Sequence, residues 1–335
     1  MKPDILVLIK EDFREEFLPD LMVDRIEKIG QVEIAVDPQD YPVEKYAGLF
    51  AGKDAVITSW NIPPFGPEVL EQADKLKIIS HAAGQVRFFL SSDIFQQRPD
   101  LLICNASNVM SRAVAEHTLC VTLACLRNLF VLRQWVTGSE NWWDYGRSLN
   151  RSLLEKKVGI IGLGQIGRDF IDLVRPFDVE LLVYSKHLTP EAAAEQGLKK
   201  CELEEIFTTC DVITLSAADT KENRHLVSRS LLEKIKPGAV FVNNARGAIV
   251  DEQALVDELE TGRFMAALDV TDPEPPAAES KLRSLDNVLL TPHIGGPVPE
   301  QWYWMMREAV RNLERFFAGE PVNCVITQER YRYMA

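Results

Sequence analysis

Lys157 to His187 reads KVGIIGLGQIGRDFIDLVRPFDVELLVYSKH, and its spacing predicts strand, glycine turn, helix and strand in that order. Val158, Ile160 and Ile161 open an apolar run of buried-strand type. Ile166, Phe170, Leu173 and Val174 recur at helical spacing until Pro176 stops the helix. Gly162, Gly164 and Gly167 fall at the spacing G-x-G-x-x-G. Gly162 suits the tight turn, Gly164 lets a pyrophosphate approach the backbone, and Gly167 lets the helix lie close on the strand. Free N–H groups in the first turn would face the phosphates, so Gln165 and Ile166 join the glycines as candidate cofactor contacts. The glycine spacing alone is weak evidence. Its place between a strand and a helix is what points to dinucleotide binding.

Working outward, a chain of 335 residues suggests two domains with ample capacity for a core. Strand candidates before the glycine turn are Ile5–Ile9, Val32–Val36, Ala55–Thr58, Lys77–Ser80 and Leu101–Asn105. Helical patterns such as Leu18–Ile29 and Pro67–Ala73 lie between them, and the alternation argues for a parallel sheet with crossover helices. From Ser111 to about Trp135 one long helix is expected, with Ala115, Leu119, Thr122, Leu126 and Leu129 on one stripe. Trp142, Trp143 and Tyr145 follow among polar residues; aromatics so placed anchor a loop, line a pocket or meet a partner. Beyond Tyr184 the alternation resumes, with strands at Val212–Ser216, Val240–Asn244, Met265–Asp269 and Val288–Thr291. Helices are expected between them at Leu203–Thr209, Ser230–Ile235 and Glu252–Thr261. Two doubly wound α/β domains follow from this pattern.

Thirty-seven basic residues against 50 acidic ones give a net charge of −13 without any basic block. That balance argues against nucleic acid or an anionic membrane as a partner. The six cysteines show no C-x-x-C pair and no zinc spacing, so buried free thiols and no metal are expected. No apolar run approaches membrane-spanning length, and the N-terminal MKPDILVLIKEDF reads as a first strand, not a leader. A cytoplasmic location is expected.

In doubly wound sheets ligands sit beyond the carboxyl ends of the strands. The three last strand candidates place Arg246, Glu274 and His293 just past those ends, Glu274 in a proline-stiffened loop and His293 in a glycine-flanked turn. Read singly, each has an ordinary explanation as an ion pair, a solvated acid or a turn residue. Together they suit hydride transfer to a carbonyl. Histidine moves the proton near neutral pH. A carboxylate beside it orients the ring and stabilises its charged form. Arginine grips a substrate carboxylate through two parallel hydrogen bonds. His117 lies inside the long helix, while His81 ends a strand beside Ala82, Ala83 and Gly84 and borders the expected cleft.

The ordered set AVAEHTL, VGIIGLGQIGR, NNARGAIVDE, ALDVTDPEP and TPHIGG, from residue 113 to 296, resembles the D-specific 2-hydroxyacid dehydrogenase family. The pattern is nearest its glyoxylate/hydroxypyruvate reductases. The resemblance implies a Rossmann nucleotide-binding domain over 107–297 and a flavodoxin-like substrate domain over 1–106, completed by 298–335. It implies His293 as acid/base, Glu274 as its partner and Arg246 as substrate binder. The backbone around Gly84, Gln85 and Val86 would hold the substrate carboxylate. Ser216, Ala245 and Asp269 would contact the cofactor, Asp269 at the nicotinamide amide. A homodimer through the nucleotide domain and an active site in the cleft between domains are also implied. Transcriptional corepressors share this fold, so a dinucleotide-sensing protein with little turnover is the competing expectation.

The chain departs from the family in three places, one of them Leu215-Ser-Ala-Ala-Asp-Thr at the adenine end, where the family usually has L-H-x-P-L-T. Ala83-Gly-Gln-Val-Arg-Phe-Phe-Leu replaces the usual glycine-valine run, which leaves the substrate open. Ser185, followed by Lys186 and His187, stands where an acid usually accepts from the ribose hydroxyls of NAD. A serine flanked by cations suits a 2′-phosphate, so NADP is the expected cofactor, with NAD possible.

Overall fold

The computed structural model describes residues 2–138, 150–332 and 334, so Trp142, Trp143 and Tyr145 lie outside the described residues. The chain divides into two compact units, Met1–Met110 with Pro297–Ala335, and Ser111–Gly296.

The first unit carries five strands: β1 (Asp4–Ile9), β2 (Gln31–Val36), β3 (Ala55–Thr58), β4 (Ile78–His81) and β5 (Leu102–Asn105). All pair in parallel, in the order β2-β1-β3-β4-β5, the flavodoxin-like arrangement. The strands are apolar on both faces because parallel sheets are covered on both. Leu6, Leu8, Val56, Ile79 and Ile103 pack with Phe50 and Phe65 on one side. Ile5, Val7, Ile9, Ala55 and Ile57 pack on the other with Phe17, Met22 and Ile26. That second layer is completed by Met305, Met306, Val310 and Leu313 of the helix Pro299–Ala318. Polar contacts tie the returning helix down. Ser80 Oγ donates to Ala309 O at 2.9 Å, and Arg25 meets Glu314 through two hydrogen bonds of 2.7 and 2.6 Å.

The second unit carries β6 (Lys157–Ile161), β7 (Glu180–Tyr184), β8 (Lys199–Lys200), β9 (Val212–Leu215), β10 (Val240–Asn243), β11 (Met265–Leu268) and β12 (Val288–Leu290). Their order is β12-β11-β10-β9-β6-β7-β8, all parallel, which is the Rossmann order with one added strand. Four strands end one residue earlier than expected, so Ser216, Asn244, Asp269 and Thr291 stand just beyond the ladder. Backbone bonds still reach past it, Ser216 N to Ile161 O at 2.8 Å and Asp269 N to Asn243 O at 3.0 Å. These are the positions at which side chains turn from the sheet to the site.

The long helix expected from Ser111 is instead two, Ser107–Leu126 and Leu129–Gly138. Asn128 lies between them in the left-handed region (φ 49°), a conformation asparagine tolerates at a helix end. The expected stripe is therefore broken: Ala115, Thr122 and Leu126 are buried, Leu119 is half-buried, and Leu129 is exposed. By length and mean hydropathy (1.3), Ser107–Leu126 passes the test for a membrane span, contrary to the reading that no run comes close. Its Ala113, Ala115, Val121 and Cys125 are buried within the protein. All six cysteines are free, and four of them (Cys104, Cys125, Cys201 and Cys210) are buried; burial pushes the thiols of Cys104 and Cys125 up to about 12.

Candidate active site

The glycine turn joins β6 to the helix Gln165–Val174. Gly162 has φ +99°, and a Cβ there would lie 2.6 Å from Ala217 N, so only glycine fits. At Gly167 a Cβ would lie 2.6 Å from Gly162 O, which is the close helix–strand approach the spacing predicts. Beside Gly164 there is open space within 4 Å of where a Cβ would sit. Gly164 caps the helix without any side-chain hydrogen bond, which leaves the first-turn N–H groups without a side-chain cap. A pyrophosphate fits such a cradle by charge and by room. Gln165 is exposed, with its Nε2 donating to Asp169 Oδ1 at 2.9 Å, and Ile166 is half-buried. Ser216, half-buried, follows β9, and its neighbour Ala217 abuts the glycine turn. Ser185 is half-buried at the end of β7, and Lys186 and His187 are exposed.

Three further strand ends carry the ionisable groups. His293 Nδ1 stands 2.6 Å from Glu274 Oε1. A carboxylate only accepts, so Nδ1 donates and Nε2 is left for another partner. Both side chains remain nearly half exposed, at 45% and 42%. His293 itself has φ 53°, within a turn pinned by Asp269. Asp269 Oδ1 accepts from Thr291 Oγ1 at 2.6 Å and from Ile294 N at 2.8 Å; Oδ2 accepts from Gly295 N at 2.7 Å. Its backbone carbonyl accepts from His293 N at 2.9 Å. The Asp269 carboxylate, 3% exposed, thus builds the turn that holds the histidine. This role was not legible beforehand. Nor was that of His117, whose Nε2 lies 3.8 Å from Asp269 Oδ1. The only signal for it was its place in AVAEHTL, since helical period does not say which neighbour a helix faces.

Arg246 is half-buried at the tip of β10, where its Nη1 donates to Ala245 O at 2.7 Å. Asn243 frames it, donating to Arg246 O at 3.1 Å and accepting from Ala245 N at 3.0 Å. Ala245 is buried. A Cβ on Gly247 would lie 2.1 Å from the backbone of Thr271, so the arginine loop rests directly on the loop leading to Glu274. The structure thus joins His293, Glu274 and Asp269 by direct contacts and sets Arg246 on the adjoining loop.

In the first unit, Gly84, Gln85 and Val86 follow β4. Gly84 O accepts from Asn105 Nδ2, and Gln85 Oε1 accepts from Arg87 N at 3.0 Å. Among the described residues, the N–H groups of Gly84 and Val86 donate to no backbone acceptor. Two N–H donors of one loop, a residue apart, suit an anion. Among the described residues, no cluster of histidine, cysteine and acidic side chains could hold a metal.

Residues 119–295, more than half of the chain, match the model of the NAD-binding domain of D-isomer specific 2-hydroxyacid dehydrogenases. The chain belongs to that family and is an NAD(P)-dependent oxidoreductase. A glyoxylate reductase of Pyrococcus furiosus is 30% identical over 338 residues, covering 98% of this chain and 96% of its own. A hydroxypyruvate reductase of Thermotoga maritima is 32% identical over 254 residues, covering 75% of this chain and 79% of its own. Among solved structures, the PH0520 protein of Pyrococcus horikoshii is 27% identical with a TM-score of 0.74, covering 99% of this chain and 97% of its own. The family acts on small 2-oxo and 2-hydroxy acids.

Proposed function

We propose that this chain reduces a small 2-oxo acid to its D-2-hydroxy acid, in the manner of a glyoxylate/hydroxypyruvate-type reductase, with NADPH preferred over NADH. The observation that carries the reading is the 2.6 Å pair of His293 Nδ1 with Glu274 Oε1 beyond the ends of a Rossmann sheet. A reduced nicotinamide bound there would supply hydride to the substrate's carbonyl carbon. Gly162, Gly164, Gln165, Ile166 and Gly167 would hold the dinucleotide's phosphates, Ser216 and Ala245 would contact it, and Asp269 would serve its nicotinamide amide. His293 gives the carbonyl oxygen the proton from Nε2, and Glu274 stabilises the ring while it is charged. Arg246 grips the substrate carboxylate and polarises the carbonyl beside it; the N–H groups of Gly84, Gln85 and Val86 receive the same carboxylate.

Turnover of NADPH and NADH with a panel of 2-oxo acids, followed by chiral analysis of the product, tests this reading. Absence of turnover with every acid would leave the dinucleotide-sensing alternative standing. Arg246→Lys is expected to lower kcat/KM by about 10-fold to 100-fold with the melting temperature unchanged. Lysine keeps the charge but loses the planar fork, and one charge-assisted hydrogen bond is worth about 1.5–3 kcal/mol. An unchanged kcat/KM would show that the carboxylate is held by backbone alone.

The NADPH preference rests on Ser185, with Lys186 and His187 beside it. Lys186 also faces an acid: Glu222 is held below the usual carboxylate range chiefly by its own backbone N–H and by Thr220, with Lys186 adding its charge. Ser185→Asp is expected to lower kcat/KM for NADPH at least tenfold, roughly the cost of one like-charge contact near a protein surface, and to favour NADH. Parent kcat/KM equal or better with NADH would defeat the preference. A cytoplasmic homodimer through the second unit completes the proposal, supported by the exposed apolar side chains of Leu129, Val136 and Leu154.

A further inference from the structure

The first unit holds a cavity of about 500 Å³, within the ordinary range for a small-molecule site. In a sheet of order β2-β1-β3-β4-β5, the topological switch point lies between β1 and β3, and ligands bind there beyond the carboxyl ends. The cavity sits at that place. Phe13 follows β1, Trp60 and Ile62 follow β3, and Phe88 and Phe89 follow β4; these five form its apolar lining. Gln85, which also lines it, belongs to the loop whose N–H groups are assigned to the substrate carboxylate.

We infer that this cavity receives the side chain of the 2-oxo acid, and that the best substrate carries a large apolar side chain, an aromatic ring above all. The inference rests on the reading of the protein as a 2-oxo acid reductase working in the manner of the glyoxylate/hydroxypyruvate enzymes, and departs from them in the substrate preferred. Glyoxylate has only a hydrogen where the side chain would be, and hydroxypyruvate a hydroxymethyl group. Either would leave the aromatic walls facing water, whereas a ring would meet them edge to face.

The polar lining points the same way. Ser59 Oγ donates to Leu8 O at 3.2 Å and Gln85 Oε1 accepts from Arg87 N; the Gln85 amide nitrogen and the exposed Asn61 side chain add only neutral amides. His81 is 2% exposed; its Nδ1 meets Thr58 Oγ1 at 2.8 Å, while its Nε2 is buried without a hydrogen bond among the described residues. Burial pushes its pKa down to about 3, against the opposing pull of Thr58 and Gln85, so the ring is neutral. The cations beside the lining are already engaged: Arg87 donates to Met334 O at 2.8 Å and stands 5.9 Å over the Tyr331 ring, Lys10, 5.7 Å over the Phe13 ring, pairs with Asp12, and Arg14 lies 3.6 Å from Glu11. No lining side chain carries a charge, so a phosphate-bearing 2-oxo acid finds no counter-ion there.

Steady-state kinetics of the full chain at saturating NADPH, repeated with NADH, test this with glyoxylate, hydroxypyruvate, 3-phosphohydroxypyruvate and phenylpyruvate. Phenylpyruvate is expected to exceed glyoxylate in kcat/KM by at least tenfold, roughly the discrimination one buried methylene provides at the low end. Phe88 is 83% exposed, so Phe88→Ala should fold, and the phenylpyruvate-to-glyoxylate ratio should fall in it by about tenfold. A parent that prefers glyoxylate, hydroxypyruvate or the phosphorylated acid, or a ratio unchanged in the variant, overturns the inference. If no acid is reduced with either cofactor, the reductase reading fails on its own account. Calorimetry with phenylacetate then decides the cavity: binding weakened by Phe88→Ala supports it, and no binding to the parent overturns it.

Discussion

His293→Ala lowers kcat for 2-oxo acid reduction by about 10²–10⁴-fold and leaves dinucleotide affinity within a factor of about two, the range of a lost general acid whose ring does not hold the cofactor. The expectation follows from geometry. Glu274 occupies Nδ1 at 2.6 Å, so Nε2 is the atom left to serve the substrate oxygen. Both side chains are nearly half exposed, which makes the substitution mild for folding. Single-turnover absorbance of NADPH separates the chemical step from cofactor release, and fluorescence titration gives the affinity. A variant that reduces 2-oxo acids at near the parent rate would remove His293 from the mechanism.

The second large effect is expected at Asp269, which the chemistry of hydride transfer alone would not single out. Asp269→Ala removes the acceptor of Thr291 Oγ1, Ile294 N and Gly295 N in one step. Each donor left buried without a partner costs about 1–3 kcal/mol, so the melting temperature should fall. The turn carrying His293 loses its anchor, and a displacement of about 1 Å at a reacting group is worth ~10²-fold in rate. The expected pattern is a kcat loss near 100-fold, roughly that misplacement penalty, with a rise in the dinucleotide KM from the contact proposed at the nicotinamide amide. Parent-like kcat in a destabilised variant would reduce Asp269 to a structural residue.

Much of the fold was legible because its signals are local. Alternating strands and helices, the glycine spacing at Gly162, Gly164 and Gly167, and polar residues following apolar runs all lie within short windows of sequence. Where the local signal was thin, the reading failed. Lys199–Lys200 is too short a strand to show any period. Asn128 split an apolar pattern that looked continuous, because one residue with φ 49° ends a helix without altering composition. Strand ends were placed one residue late because the ladder's backbone bonds continue past the last regular residue.

By itself the sequence determined two doubly wound parallel-sheet units, a dinucleotide cradle, and the placing of Arg246, Glu274 and His293 beyond strand ends. Tertiary structure decided what those residues touch. Glu274 and His293 are separated by 19 positions, and Asp269 reaches Gly295 across 26, distances over which no periodic rule acts. The cavity walled by Phe13, Trp60 and Phe89 draws on three strand ends, and only the β2-β1-β3-β4-β5 order brings these together. Spacing along the chain specifies which way a side chain leaves its own element. Which partner it then meets depends on the packing of elements distant in sequence, where non-directional apolar burial does most of the positioning.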